Sequence, residues 1–267
     1  MKAKPSGRSN RKPAKRRASH LTRGKRSGRL LRPERPLITT VIFDLDDTLY
    51  DCFRQRVQLA HRHAAEAMVK AGVGATVSEV FKVRMAAFKK DPHLQFIDDA
   101  VCRRFKVANP QLAQMRSRAA YFSTPVGKLT LFPASRRVLR TLARRGVRNF
   151  IVSFGDPETQ HAKVRALGLE GEKSVKKIFY ADTGKLMTKE SIFQVIQKHQ
   201  EKDPRRILVV GDRPSSEIKA GRSLGFHTVR LQHGEFATLE AVGAEETADR
   251  TIHSIAEVLK LPYRFGS

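Results

Sequence analysis

The stretch Leu37-Ile-Thr-Thr-Val-Ile-Phe43 runs directly into Asp44-Leu-Asp46-Asp-Thr-Leu-Tyr50, and this stretch decides the fold. Its first half is rich in β-branched residues and becomes continuously apolar, which is typical of a strand buried on both faces of a parallel sheet. Asp44 and Asp46 follow at the carboxyl end of that strand. Since open α/β sheets place their sites at this edge, the sequence predicts two carboxylates aimed into one cleft.

Further apolar runs and helical patterns alternate in the second half of the chain. Strands are predicted at Asn149–Ser153, Lys177–Ala181, Arg206–Val210 and His227–Leu231. Helices are predicted at Ser135–Arg145, Glu158–Leu167, Lys189–His199 and Ser216–Leu224. This alternation predicts an α/β fold with a doubly wound parallel sheet. Residues 52–128 interrupt it with helical patterns alone, at Arg54–Lys70, Ser78–Lys89, Asp98–Phe105 and Gln111–Phe122, and so predict a helical insertion.

Residues 1–36 differ sharply from the rest in composition. They hold 14 of the 52 Lys and Arg residues and a single acid, Glu34, in a chain of net charge +26. With many Pro, Gly and Ser and little apolar surface, this segment is predicted to be a disordered basic tail. Such an arm attracts polyanions, so we expect non-specific contact of residues 1–36 with RNA, DNA or a ribosome. A solvated tail without a dedicated partner is the alternative.

Composition also limits the class and location of the protein. No apolar run is long enough for a membrane-spanning helix, so we expect a soluble protein with no membrane partner. Cys52 and Cys102 provide neither a disulfide framework nor metal spacing, which fits a reducing, cytoplasmic setting. The basic tail leaves organellar targeting open. His61 and His63 lie two apart on a predicted helix and are expected to pack or to face solvent rather than share a metal.

Four short motifs fall at predicted strand ends or at a helix start. A desolvated Asp44 can accept a phosphoryl group, and Asp46 can move the proton of the leaving oxygen or of water. Ser153 ends a strand before Phe154 and Gly155, so its hydroxyl and the following backbone N–H groups are candidate phosphate ligands. Lys189, at a predicted helix start, would neutralise charge on phosphate and nucleophile.

The fourth motif is Val209-Val-Gly-Asp212-Arg-Pro-Ser-Ser-Glu217. It brings one carboxylate to a strand end and a second acid five residues later. Oxygen ligands of this kind favour a hard cation such as Mg²⁺. The predicted metal ligands are therefore Asp44, Asp46 and Asp212, with Glu217 as the fourth candidate.

The motifs DLDDT, VSFG, Lys189 and VVGDRPSSE together resemble those of the haloacid dehalogenase superfamily, over about residues 38–262. The resemblance implies Asp44 as nucleophile, Asp46 as general acid/base, phosphate ligands at Ser153 and Lys189, and Mg²⁺ at the fourth motif. An Asp at position 46 resembles phosphatase members rather than dehalogenases. The family commonly has Asp where this chain has Glu217, and the longer side chain leaves its contact with the metal open.

The same resemblance implies the domain plan and the reaction. Residues 37–51 and 129–267 would form the Rossmann-like core, and residues 52–128 the helical cap of subfamily I. We expect a Mg²⁺-dependent phosphomonoesterase that forms an aspartyl phosphate and acts on a small metabolite. Candidate substrates are a nucleoside monophosphate, phosphoglycolate or a sugar phosphate. A phosphotransferase or phosphomutase of the same fold, and an RNA-associated protein with a secondary phosphatase core, are the alternatives.

Overall fold

A six-stranded parallel sheet forms the centre of the molecule in this computed structural model, which describes residues 34–182 and 187–266. The sheet strands are β2 (Thr40–Phe43), β3 (Arg148–Phe154), β4 (Lys177–Ala181), β5 (Ile207–Gly211), β6 (His227–Leu231) and β7 (Arg250–Ile252). Their spatial order is β4-β3-β2-β5-β6-β7, and every neighbouring pair is parallel. A separate parallel pair joins β1 (Leu37–Ile38) to β8 (Arg264–Phe265). The predicted α/β class with a parallel sheet is confirmed.

The helices follow the predicted alternation. Those of the second half are α5 (Ser135–Arg144), α6 (Pro157–Ala166), α7 (Lys189–Gln200) and the short α8 (Lys219–Ser223), which a π-helical turn at Pro214–Ile218 precedes. Those between β2 and α5 are α1 (Gln58–Lys70), α2 (Val77–Phe88), α3 (Leu94–Phe105) and α4 (Pro110–Phe122), with a π-helical turn at Phe53–Val57 before α1. None of the helices in the described part of the chain is long and apolar enough to cross a membrane.

Two differences from the predicted elements have simple causes. The predicted first strand is divided in two, because Thr39 bonds through its backbone to Arg206 and Arg148 and lies between the two pairings. Strand β7 was missed because Arg250-Thr-Ile252 is only three residues long, too short to show an alternating pattern. The tail prediction concerns residues that lie, apart from residues 34–36, outside the described part.

Strand β2 is the central strand, and its four residues are all buried. It pairs with β3 on one side and β5 on the other, with Phe43 level with Ile151 and Val210. From β2 the chain first adds β3 and β4 on one side of the sheet and then β5, β6 and β7 on the other. The carboxyl end of β2 is therefore the switch point, where open α/β sheets bind ligands. The residue after Phe43 is therefore placed at the expected site.

Helices α1 to α4 have a small core of their own. Its buried apolar side chains include Ala65, Met68, Val80, Val101 and Ala113. Four helices with a core of their own thus lie between β2 and α5. We call residues 52–128 the helical insertion. The exact domain boundaries at 36/37, 51/52 and 128/129 stay predictions.

A buried polar group fixes the interior of the helical insertion. The Arg84 guanidinium donates to Asp98 at 2.5 Å and to the Ser117 hydroxyl at 2.8 Å, and all three side chains are fully buried. Its other terminal nitrogen lies 3.3 Å from Nδ1 of His61. Since arginine only donates, His61 must accept there and stay neutral. Burial and the neighbouring Arg84 lower the pKa of His61 to about 3.

This arrangement predicts a loss of stability in mild acid. The unfolded chain binds a proton at His61 below about pH 6.5, whereas the folded chain does not, so the free energy of unfolding falls as the pH drops below that value. At about pH 4.5 the loss should be about 3 kcal/mol relative to His61→Gln, whose carbonyl still accepts from Arg84. Urea unfolding at neutral and acidic pH measures it. The control is His199→Gln, because His199 is exposed. The prediction is contradicted if the free energy of unfolding changes with pH in the same way in the wild type and in His61→Gln.

Candidate active site

A cavity of about 290 Å³ opens at the carboxyl ends of β2 and β5. Of the residues predicted from the sequence, it brings together Asp44, Asp46, Phe154, Lys189, Asp212 and Glu217. Asp44 follows β2 and Asp212 follows β5, two strands that run side by side in register. Parallel pairing therefore explains why carboxylates 168 positions apart in the chain share one cavity.

Lys189 is the charge that neutralises the centre of the cavity. Its ammonium donates to Oδ1 of Asp44 and to Oε1 of Glu217, and all three side chains are buried. Helix α7 begins at Lys189 because the Thr188 hydroxyl accepts from the backbone N–H of Ser191 as its N-cap. Burial raises the pKa of Asp44 to about 7, although the Lys189 ammonium lowers it. One cation thus compensates two buried acids only in part.

Asp46 lies on the other side of the cavity in a different environment. Nζ of Lys163, on α6, donates to Oδ2 of Asp46 at 2.6 Å, and the hydroxyl of Tyr50 donates to Oδ1 at 2.7 Å. Burial raises the pKa of Asp46, but Lys163 and Tyr50 outweigh it, so the pKa lies below its usual range. The pKa values of Asp44 and Asp46 are therefore shifted in opposite directions, because Asp44 is more deeply buried and shares Lys189 with Glu217. Both oxygens of Asp46 thus accept hydrogen bonds, and its predicted roles in proton transfer and metal binding stay predictions.

Asp212 and Glu217 reach the cavity through the turn after β5. Burial raises the pKa of Asp212 well above its usual range, and the nearby Glu217 and Asp44 carboxylates raise it further. Oε2 of Glu217 accepts from the backbone N–H of Arg213 at 3.1 Å while its other oxygen accepts from Lys189. A side chain on Gly211 would come within 2.6 Å of the Glu217 side chain, so only glycine lets Glu217 fold over the end of β5.

Ser153 and Gly155 do not line this cavity. Ser153 is buried, and its hydroxyl donates to Oε1 of Gln160 at 2.8 Å. The amide nitrogen of Gln160 in turn donates to the carbonyl of Phe154 at 3.1 Å. Gln160 thus holds the loop after β3, and the predicted role of Ser153 and Gly155 in phosphate binding stays a prediction. Of this motif, only Phe154 faces the cavity.

Lys163 and Gln160 are the residues that the sequence analysis missed. They lie three positions apart on α6, which starts directly after the Ser153 loop, so both side chains point back towards the site from one helix face. That spacing was a usable signal. The sequence does not predict a role for Lys163, because a single Lys in the middle of a helix is usually exposed, whereas Lys163 is buried.

A third acid, Asp47, has a structural role beside the site. Its oxygens accept from the backbone N–H of Phe53 at 3.0 Å and of Glu235 at 3.1 Å, which ties the helical insertion and the loop after β6 to the first motif. Asp47 itself adopts φ of 52°, and Gly234 packs so close that a Cβ there would lie 2.1 Å from the Asp47 carboxyl carbon. Such local strain is typical of functional loops.

Asp47, Asp51 and His233 also present ligand atoms within 4.8 Å of one another. This group is not the predicted metal set. The two carboxyl oxygens of Asp47 are already bonded to backbone N–H groups, and Nε2 of His233 lies 3.5 Å from Asp51. These contacts account for the cluster as a link between loops.

The helical insertion closes one side of the cavity. Its contribution comes from its first residue, the π-helical turn before α1, the start of α1 and the end of α4: Cys52, Arg56, Val57, Ala60, Tyr121 and Phe122. Arg56 donates to the carbonyl of Thr124 at 3.1 Å and so joins the two ends of the insertion. The structure thus places Arg56 in the cavity wall.

The buried carboxylates of Asp44 and Asp212 form a donor set that suits a hard divalent cation. Asp44 and Asp212 are buried and mutually repulsive, and both have raised pKa values that a nearby cation would lower. Carboxylate oxygens are the ligands that Mg²⁺ takes. Asp44 and Asp212 are the residues best placed to hold it, whereas Glu217 is engaged by Lys189.

A family model described as haloacid dehalogenase-like hydrolase matches residues 38–225 of the chain. A glyceraldehyde 3-phosphate phosphatase of Pyrococcus furiosus is 26% identical over 227 residues, which cover 84% of this chain and 92% of that protein. The protein of the same name from Pyrococcus abyssi is 29% identical over 202 residues, 74% of this chain and 83% of its own. These matches confirm the predicted resemblance and the predicted enzyme class, a hydrolase of the phosphatase type.

A solved structure has the same fold. The crystal structure of a predicted phosphoglycolate phosphatase from Haemophilus somnus superposes with a TM-score of 0.60 and 18% sequence identity. It covers 84% of this chain and 97% of that chain. At this identity the likeness concerns the fold, and it agrees with the α/β core described above.

The contact between Lys163 and Asp46 generates a prediction on aryl phosphate hydrolysis. Lys163→Gln removes the charge that holds Asp46 ionised, so the pKa of Asp46 should rise. We expect kcat to fall about 10- to 100-fold and the acidic limb of its pH profile to move to higher pH. Initial rates across the pH range measure both effects. Lys198→Gln, an exposed residue of α7, is the control, and an unshifted acidic limb would contradict the prediction.

Proposed function

The chain belongs to the haloacid dehalogenase-like hydrolases, and on that premise we propose that it is a Mg²⁺-dependent phosphomonoesterase acting through an aspartyl phosphate on Asp44. The observation that carries the proposal is the meeting of Asp44, Asp46, Lys189 and Asp212 in one cavity at the switch point of the sheet. Asp44 and Asp46 follow β2, Lys189 begins α7, and Asp212 follows β5. Their meeting supports a shared role in one reaction.

The first half of the proposed reaction uses the ionised Asp44. Its free carboxylate oxygen attacks phosphorus, the bond to the ester oxygen breaks, and Asp46 protonates that oxygen. Because Lys163 holds Asp46 ionised in the free site, this proton enters with the phosphate monoester, whose second ionisation lies near pH 6. In the second half Asp46 takes a proton from water, and the resulting hydroxide attacks phosphorus and breaks its bond to Asp44. Asp46 then passes this proton to the departing orthophosphate, so both aspartates return to their ionised form.

Lys189, Glu217 and a bound Mg²⁺ would have further roles in this reaction. Lys189 neutralises the Asp44 carboxylate and stands where it can also face a phosphoryl oxygen. When bound to Asp44 and Asp212, Mg²⁺ would offset the charge of the phosphate and of the nucleophile. Glu217 orients Lys189 and would reach such an ion only at longer range, since its oxygens accept from Lys189 and from the N–H of Arg213.

The size and lining of the cavity support a small substrate. A volume of about 290 Å³ lies at the lower end for ligand sites. Phe154, Tyr121 and Phe122 line one part of it, with Arg56 and Arg213 as further cations. The relatives named as glyceraldehyde 3-phosphate phosphatases suggest a three-carbon phosphate ester. We therefore propose a short phosphorylated metabolite as the substrate, ahead of a nucleoside monophosphate.

The proposal predicts that Asp44→Asn abolishes turnover. The amide cannot act as the nucleophile, so release of phosphate from an aryl phosphate should fall at least about 1,000-fold. Asp156→Asn is the matched control, because this exposed residue caps α6 and asparagine caps equally well. Activity retained in Asp44→Asn would overturn the mechanism. Free phosphate measured against transfer to an added alcohol separates the hydrolase from the phosphotransferase alternative.

A second prediction concerns the metal and does not depend on activity. At about 100 times its Kd, MgCl₂ should stabilise the wild-type chain by about 2.7 kcal/mol, a rise in Tm of about 5 °C or more. Asp212→Asn removes a buried ligand and should lose this shift while remaining folded, because it also removes a repulsive charge. Thermal scans in EDTA and in MgCl₂ measure the difference. An equal shift in both proteins would place the ion elsewhere.

A further inference from the structure

The outer face of α5 and the loop across from it form a strongly basic groove of about 1010 Å³. Its charged lining consists of five cations, Arg136, Arg137, Arg140, Arg144 and Lys173, and two acids, Glu170 and Glu172. None of its lining residues belongs to the candidate active site. We call this surface the α5 groove and propose that it binds the phosphate backbone of a nucleic acid.

The inner and outer faces of α5 differ in residue type. Ser135, Val138, Leu139 and Leu142 are buried and fasten the helix to the core. No acidic residue occurs between positions 131 and 150, although that stretch holds six arginines. Arg137, Arg140 and Arg144 follow the i, i+3, i+7 spacing that puts side chains on one helix face. The charge is thus concentrated on one side of one helix.

One acid in the groove is already fully engaged. Glu172 accepts from Arg136 at 2.6 Å and from Arg140 at 3.2 Å, and it also accepts from the Ser174 hydroxyl at 2.9 Å. Arg136 additionally donates to the carbonyl of Leu167 at 3.2 Å, so this arginine is structural. Glu172 thus fixes the groove wall and leaves the other cations uncompensated.

The remaining cations are available for a ligand. Arg137, Arg144 and Lys173 are exposed, and within residues 34–182 and 187–266 none of the three has a carboxylate at ion-pair distance. Arg137 and Arg144 are seven residues apart, about 10 Å along a helix axis. Since one nucleic-acid strand advances about 3.4 Å per phosphate, that distance spans about three phosphates, which a single small anion cannot do.

The chemistry of the lining indicates how the nucleic acid is held. An arginine guanidinium can donate two parallel hydrogen bonds to the oxygens of one phosphate. The groove lining contains no aromatic side chain, so it offers no platform on which bases could stack. Binding through the backbone alone does not read sequence. The α5 groove therefore fits a duplex of any sequence rather than a single strand.

The test compares two full-length variants of equal net charge. R137E/R144E/K173E reverses three groove cations that make no ion pair, and K70E/K82E/K198E reverses three exposed cations dispersed over α1, α2 and α7. Fluorescence anisotropy with a labelled 20-base-pair RNA duplex gives Kd from low to moderate salt. Aryl phosphate hydrolysis should be unchanged in both variants, which shows that they are folded.

If the α5 groove binds the backbone, the groove variant should bind at least about tenfold more weakly than the dispersed variant. Its slope of log Kd against log salt should also fall by about 2 to 3. A duplex of scrambled sequence should give the same values. Equal loss in both variants would mean that net charge alone matters, and an unchanged slope in the groove variant would mean that the groove does not touch phosphates. Either result overturns the proposal.

Discussion

The buried contact of Lys189 with Asp44 and Glu217 is the constraint on which the site depends. A carboxylate becomes a useful nucleophile when it is removed from water, yet burial raises the pKa of Asp44 to about 7. Without the ammonium at the start of α7, the group would be protonated and inert near neutral pH. The Thr188 cap and the position of α7 bring that charge into place, and the close approach of Glu217 to Gly211 places its second partner.

The balance of burial and ion pairing also separates the two acids of the first motif. Asp46 has its own ammonium in Lys163 and a phenol donor in Tyr50, so its pKa falls where that of Asp44 rises. A pair of carboxylates two residues apart thereby acquires two roles. Asp47, the third acid, is bonded to backbone N–H groups from the helical insertion and from the loop after β6. One strand end would thus hold the proposed nucleophile and the proposed proton carrier beside an aspartate that anchors two loops.

Much of this could be predicted from the sequence, because strand ends and motif spacing are local properties. The predicted β4 and β6 agree with the observed bounds, and Asp44, Lys189 and Asp212 meet as expected. What could not be predicted depends on tertiary contacts. Periodicity does not show that the Ser153 hydroxyl turns to Gln160, or that Lys163 is buried against Asp46. Nor does it show which side chains of the helical insertion reach the cavity.

Charge also distinguishes the candidate active site from the α5 groove. The lining of the active-site cavity holds six acids and four cations, whereas the α5 groove holds five cations and two acids. A polyphosphate is repelled by the cavity unless a divalent cation offsets its acids, and it is attracted to the groove at any metal concentration. A small phosphate ester can enter the cavity with its ion, while a nucleic acid is too large to do so. The proposed hydrolysis and the proposed nucleic-acid binding would therefore use separate surfaces and differ in their dependence on the metal.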